Sequence, residues 1–220
     1  MIGAIIGDVI GSRFEWNNVK SKDFELFTEK SKFTDDTVLT IAIADSILNK
    51  IEYSKAVKKY GRKYPLAGYG VTFKKWLAGL ITGPYNSWGN GSGMRVSSIG
   101  YAFETENKIL EESKKSAEFT HNHIEGIKGA QAIAMSIFMA RKGHQKHEIK
   151  EYIENKFDYY LNRTIENIRP SYTFDVSCQG SVPEAIIAFL ESDDYESCIR
   201  GAISIGGDSD TIAAIAGSIA

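Results

Sequence analysis

The chain has 220 residues, 43% of them hydrophobic and 25% charged, which is enough apolar matter for a substantial core and enough charge to keep a folded surface in water. Its 26 basic and 28 acidic residues leave a formal charge of −2, so there is no global pull towards nucleic acid or an anionic membrane. Two cysteines, Cys178 and Cys198, make neither a disulfide framework nor a metal knuckle, and both are expected to be reduced packing residues of a cytoplasmic protein.

The first stretch, "MIGAIIGDVIGSRF", is apolar but lacks a basic leader and is interrupted by Asp8, so it does not read as a signal peptide. Ile2, Ile5, Ile6, Val9 and Ile10 recur at helical spacing, with Gly3, Gly7 and Gly11 on another face. Each glycine costs about 1 kcal/mol of helix propensity against alanine, so three in one helix point to close approach of a neighbouring backbone or a ligand. From Thr37 to Asn49 the sequence is apolar nearly all round and predicts a central buried helix. A basic helix follows, with Ser54 as its expected cap and Lys55, Lys58, Lys59, Arg62 and Lys63 on its wet face. "YPLAGYG" breaks it, and a short helix is expected over residues 73–80. Residues 82–93, "TGPYNSWGNGSG", must form a loop.

An amphipathic helix is predicted over residues 106–118, then a long one through "IEGIKGAQAIAMSIFMAR" that stops near Gly143. Ile149, Tyr152, Ile153 and Phe157 mark another. Pro183 suits the first position of a helix containing "EAIIAFL". "YESCIRGAISIG" and "DTIAAIAGSIA" supply the last two. No convincing period-2 strand, linker or repeat appears, and no uncharged run approaches the roughly 20 residues that span a bilayer. The expectation is therefore an all-α, compact single-domain helical bundle over residues 1–220. The last apolar run meets Ala220 without a stop signal, so the chain is expected to be cut short there or its last helix curtailed.

Two acidic clusters carry the chemistry. "FTDDT" at residues 33–37 opens the central helix and "GGDSDT" at residues 206–211 opens the last one. Capping alone accounts for either cluster taken singly. Together they place Thr34, Asp35, Asp36, Asp208, Asp210 and Thr211 at the mouths of two very apolar helices. Buried carboxylates must be solvated, paired or bound to metal, and carboxylate and hydroxyl oxygens suit hard cations such as Mg²⁺, Mn²⁺ or Ca²⁺. The set suffices for two adjacent ions if those helices start side by side. An EF-hand beginning at Asp208 fails, because Ala213 and Ile219 stand where glycine and glutamate are needed. A phosphatase-type DxDxT fails at Ile212.

The ordered motifs "IIGDVIGSRFE", "FTDDT", "WGNGSGMR", "THNHIEGIKGAQA" and "GGDSDTIAAIAG" resemble the ADP-ribosylglycohydrolase family over nearly the whole chain. The resemblance implies a compact all-α fold with a binuclear centre of two Mg²⁺ or Mn²⁺ ions, held by Thr34, Asp35, Asp36, Asp208, Asp210 and Thr211. It places Glu15 near the metals and makes Asp8 an orienting residue. It sets Asn90, Gly91, Ser92 and Gly93 against the pyrophosphate and ribose of ADP-ribose, and His121 in the substrate pocket. Ile124 departs from the commonest form of the fourth motif, where proline is frequent. Arg95 is open between a phosphate clamp and a structural ion pair, His123 reads as a cap, and Tyr85 and Trp88 are candidates for stacking on adenine.

The implied reaction is hydrolysis at ribose C1″ of ADP-ribose joined to a protein or small-molecule acceptor, with Asp36, Glu15 and Asp210 as catalytic candidates. The alternative is a module that binds ADP-ribose or a nucleotide without hydrolysis. A third reading is a structural protein, since lens crystallins share the fold; the intact acidic clusters argue against it.

Overall fold

The computed structural model describes residues 1–220 and contains twelve α-helices and no β-strand. In chain order they are α1 (Ile2–Gly11), α2 (Asp35–Asn49), α3 (Tyr53–Lys63), α4 (Val71–Leu77), α5 (Ser97–Ala102), α6 (Glu106–Glu118), α7 (Ile124–Arg141), α8 (Lys146–Phe157), α9 (Ile165–Ile168), α10 (Cys178–Leu190), α11 (Tyr195–Ile205) and α12 (Ser209–Ile219). The fold is all-α, as the helical periodicity predicts. Every helix contributes to one continuous core of 47 buried residues, so no gap in the apolar packing separates the two ends of the chain.

The innermost helix is α12, buried over its whole length from Ser209 to Ile219, with α10 and α11 beside it. The sequence assigned the centre to α2, which is buried from Asp36 to Thr40 but surfaces at Leu48, 81% exposed. Against α12 lies α1, antiparallel and with backbones in contact. A Cβ on Gly3 would overlap the Gly217 carbonyl, one on Gly7 the Ala213 carbonyl, and one on Gly11 would stand 2.5 Å from the Asp210 Cα. The glycine face is thus the buried one. The isoleucine face is only partly covered, with Ile2 70% exposed and Ile5, Ile6 and Val9 half-buried.

Three local expectations change. Ser54 does not cap α3; Glu52 holds the cap position, and the Ser54 hydroxyl bonds the Glu52 carboxylate from inside the first turn. Pro183 lies within α10 rather than opening it, because Ser177 caps the helix earlier by accepting from the Gly180 N–H at 2.9 Å. The short helices α5 and α9 lie in stretches read without a helix. Both cysteines are buried and free, as expected. No helix is long and apolar enough to cross a membrane.

Candidate active site

The antiparallel packing of α1 on α12 brings the C-terminal half of α1 to the first turn of α12, and Asp8 then recruits α2. Its Oδ1 accepts from the Thr34 hydroxyl at 2.7 Å, and its Oδ2 accepts from the backbone N–H groups of Thr34 at 2.9 Å and Thr37 at 3.1 Å and from the Thr37 hydroxyl. One carboxylate from α1 therefore satisfies orphan donors at the start of α2. The two acidic clusters meet as a consequence: the Thr211 hydroxyl of α12 donates to Asp36 Oδ2 at 3.3 Å. Entry into α12 needs two consecutive left-handed residues, φ +81° at Gly206 and +70° at Gly207, which glycine adopts without steric cost.

Two carboxylate groups result. Single oxygens of Asp8, Asp36 and Asp210 lie within 4.8 Å of one another, as do those of Glu15, Asp208 and Asp210. Asp210 belongs to both. Asp8 already accepts four hydrogen bonds, so its part is to orient its neighbours. Asp36 differs: its buried Oδ1 has no hydrogen-bond partner, and the Thr34 hydroxyl sits 3.4 Å from its Oδ2. A buried, unpartnered carboxylate oxygen among threonine hydroxyls and further carboxylates has the chemistry of a hard-cation ligand. Thr34, Asp36, Asp208, Asp210 and Thr211 thus converge with Glu15. Asp35 lies outside both tight groups, half-buried in the wall of the same cleft opposite Gly68.

The charges are crowded enough to resist ionisation without a cation. Burial, then the Asp210 charge, pushes Glu15 up to about 7 and Asp35 up to about 8. Burial likewise raises Asp208 to about 6, against the Asn90 amide that stabilises its charge. Asp36 and Asp210 are raised well above the carboxylate range, by burial and then by their acidic neighbours.

These acids floor a cleft of about 400 Å³. One wall is the turn at Asn90–Ser92, tied to the start of α10 by the Asn90 N–H to the Val176 carbonyl at 2.8 Å and the Cys178 N–H to the Trp88 carbonyl at 3.0 Å. Asn90 and Gly91 face the cleft; Ser92 and Gly93 do not. Ser92 is buried with its hydroxyl donating to the Gly126 carbonyl at 2.7 Å, and Gly93 packs so tightly that a Cβ would meet Ile133 at 2.6 Å. The Asn90 amide is engaged too, donating to Asp208 at 2.7 Å and to the Ser181 hydroxyl at 3.0 Å.

His121 lines the cleft beside Gly91, and burial followed by the Arg95 charge holds it well below the usual histidine range, so it is neutral at pH 7. Tyr85 lines the cleft while Trp88 stands outside its lining. His123 caps α7, its Nδ1 accepting from the Glu125 N–H at 3.1 Å. Arg95 makes no ion pair: its Nη2 donates to the Ser116 carbonyl at 2.8 Å and the Thr120 hydroxyl at 3.0 Å.

Two features escaped the sequence reading. Asn18 latches the loop carrying Glu15 to the glycine turn before α12, accepting from the Gly207 N–H at 2.8 Å and donating to the Gly207 carbonyl at 2.9 Å. A lone asparagine after a helix gives no periodic or motif signal for such a role. Trp16 and Phe174, far apart in sequence, stack at the cleft rim with ring centroids 4.8 Å apart.

Comparison with known proteins agrees with this architecture. ADP-ribosylhydrolase ARH3 of Gallus gallus is 25% identical over 303 aligned residues, covering all of this chain and 83% of that protein. The Homo sapiens protein of the same name is 25% identical, with the same coverage. A solved structure described as an ADP-ribosylglycohydrolase-related protein complex superposes with a TM-score of 0.79 at 23% identity, covering all of this chain and 83% of that one, and shares the fold. The family model for ADP-ribosylglycohydrolase matches residues 1–220. With its two acidic helix mouths meeting at Asp210 and that match spanning its whole length, the chain belongs to the ADP-ribosylglycohydrolase family and is a hydrolase.

Proposed function

We propose that this protein removes ADP-ribose from a modified protein or small molecule by hydrolysing the bond at ribose C1″, and that it requires divalent cations, two Mg²⁺ or Mn²⁺ ions, to do so. The observation that carries this reading is the sharing of Asp210 between two carboxylate groups at the floor of one cleft. Thr34, Asp36, Asp210 and Thr211 would hold one ion and Glu15, Asp208 and Asp210 the other, with Asp35 reaching in from the wall. Bound there, the ions would supply Lewis acidity and charge to the ribose hydroxyls and to the attacking water.

The remaining work falls to side chains. Asn90 holds Asp208 in place, and Asp8 holds Thr34. Gly91 leaves the wall thin enough for an anionic group to approach the backbone, and His121 lies beside it. Glu15 sits at the more open edge of the acidic floor, which suits it to take the proton of the attacking water. A bond forms between water oxygen and C1″ as the bond from C1″ to the acceptor breaks, through an oxocarbenium-like transition state. The acceptor departs with a proton, leaving free ADP-ribose.

The test is release of free ADP-ribose from arginine-, serine- and nucleic-acid-linked conjugates, with Mg²⁺ or Mn²⁺ and again with EDTA. Release that needs the cation and disappears in Asp36→Asn supports the reading and identifies the acceptor. Binding of ADP-ribose by calorimetry with no release from any conjugate would replace the hydrolase with a binding module.

A further inference from the structure

Arg95 is completely buried, yet no carboxylate lies within 4.0 Å of it. An unpaired buried guanidinium is costly, so its retention beside the cleft calls for a physical reason. Arg95 borders the cleft, but its side chain is closed to solvent, Nε and Nη1 have no partner, and the one nitrogen that is engaged points to the Ser116 carbonyl and Thr120. The ring of Phe119 stacks under the guanidinium, 4.7 Å from its centroid to Cζ, and fixes the plane in which Nη2 reaches Thr120.

Thr120 Oγ1 accepts from Arg95 and keeps one hydrogen to give. Two acceptors compete for it, His121 Nδ1 at 2.8 Å and the Ala117 carbonyl at 3.4 Å. The first is an ordinary hydroxyl hydrogen-bond length and the second lies beyond it. Were Nδ1 protonated it would donate to Oγ1 and leave the hydroxyl hydrogen only the long Ala117 contact. The arrangement with the shorter bonds has the hydroxyl donating to Nδ1, and a neutral imidazole that accepts there carries its hydrogen on Nε2. That nitrogen faces the cleft wall: a Cβ on Gly91 would stand 3.1 Å from it and one on Gly89 3.6 Å. Glycine at both positions leaves the N–H uncovered.

We infer that Arg95 is a positioning residue which, through the Thr120 hydroxyl, fixes His121 as the Nε2–H tautomer and aims that one donor at an anionic oxygen lying against Asn90 and Gly91. The buried cation polarises the hydroxyl and so strengthens a donor it never touches. Naming the anion as the pyrophosphate of ADP-ribose rests on the proposed function; the tautomer does not.

The test pairs Thr120→Val, which keeps the shape and removes the hydroxyl, with Thr120→Ser, which restores it. Nitrogen-15 NMR of labelled histidine, with His121 assigned by the loss of its signal in His121→Gln, reads the tautomer in the intact chain. Calorimetry with ADP-ribose reads affinity, and thermal melting confirms that each variant folds. In the wild type and Thr120→Ser, Nε2 is expected protonated and Nδ1 bare. In Thr120→Val the two tautomers are expected to mix and ADP-ribose to bind about tenfold more weakly. A wild-type spectrum with Nδ1 protonated overturns the inference, as does a folded Thr120→Val with unchanged tautomer and affinity. If the wild type binds no ADP-ribose while the tautomer still follows Thr120, the relay stands and the proposed function falls.

Discussion

At the residue scale, Asp210 and Asp8 are both acidic and buried, yet they do opposite things to the fold. Asp8 is satisfied by four donors, so its charge ties α2 to α1. Asp8→Asn replaces an accepting oxygen with an NH₂ that must face donors, and about 2–3 kcal/mol of stability should be lost. Because Asp8 also orients Thr34, cation affinity should fall by about 10- to 100-fold; chemical denaturation and a metal titration read the two effects separately. Asp210 instead stands among carboxylates that repel it. Asp210→Asn should abolish release of ADP-ribose and, in the metal-free protein, raise the melting temperature, since it relieves that repulsion. A variant that kept near-normal turnover would end the shared-ligand reading. One that lost activity but melted lower would make Asp210 a structural residue.

At the element scale, the contact between α1 and α12 sets the distance between the acidic clusters, and glycines set that contact. Gly7→Ala places a methyl group against the Ala213 carbonyl and the Ala214 nitrogen, the latter 2.9 Å away. Both are backbone atoms of a buried helix, so the expected cost is about 1–3 kcal/mol with reduced cation affinity. Gly83→Ala meets nothing within 4 Å and should stay within about 0.5 kcal/mol of the wild type; equal melting temperatures for the two variants would refute the close-packing argument. The glycine spacing was readable in the sequence, as were α6 and α7, whose amphipathic or apolar runs are long enough to show a period. Helices α5 and α9 were not, because six and four residues span fewer than two turns. Pro183 misled for a different reason: the Ser177 cap that starts α10 depends on the loop from Trp88 to Ser92 folding against it, a contact across some 90 residues that no local pattern records. The convergence of Thr34, Asp36, Asp208, Asp210 and Thr211 was legible because both clusters open apolar helices. The inward turn of Ser92, the Asn90–Asp208 bond and the Asn18 latch were not, since each is decided by tertiary packing.

At the scale of the whole molecule, the crowded acids link stability to pH and to metal. In the metal-free fold Asp208, Glu15 and Asp35 are raised to about 6, about 7 and about 8, from ordinary values of 3.8, 4.5 and 3.8, and Asp36 and Asp210 are also raised well above the ordinary carboxylate range. A raised carboxylate binds its proton more tightly folded than unfolded. Below the ordinary carboxylate range both states are protonated and nothing is lost. Above it the unfolded chain releases protons that the fold retains, and each such proton lowers stability by about 1.4 kcal/mol per pH unit until the folded group also ionises. Glu15 is half-exposed, so solvent screening reduces its share. The metal-free protein should therefore melt at progressively lower temperature as the pH rises from about 5 to about 8. A cation bound as proposed would take the place of the retained protons, so affinity for it should climb over the same interval. Stabilisation by excess Mg²⁺ or Mn²⁺ grows with the ratio of free ion to dissociation constant, and should be small at about pH 5 and largest at about pH 8. Melting curves across that range, with EDTA and with each cation, would show two lines converging at low pH. Parallel lines would mean that cation binding displaces no protons, and that the ions are held somewhere other than the acids around Asp210.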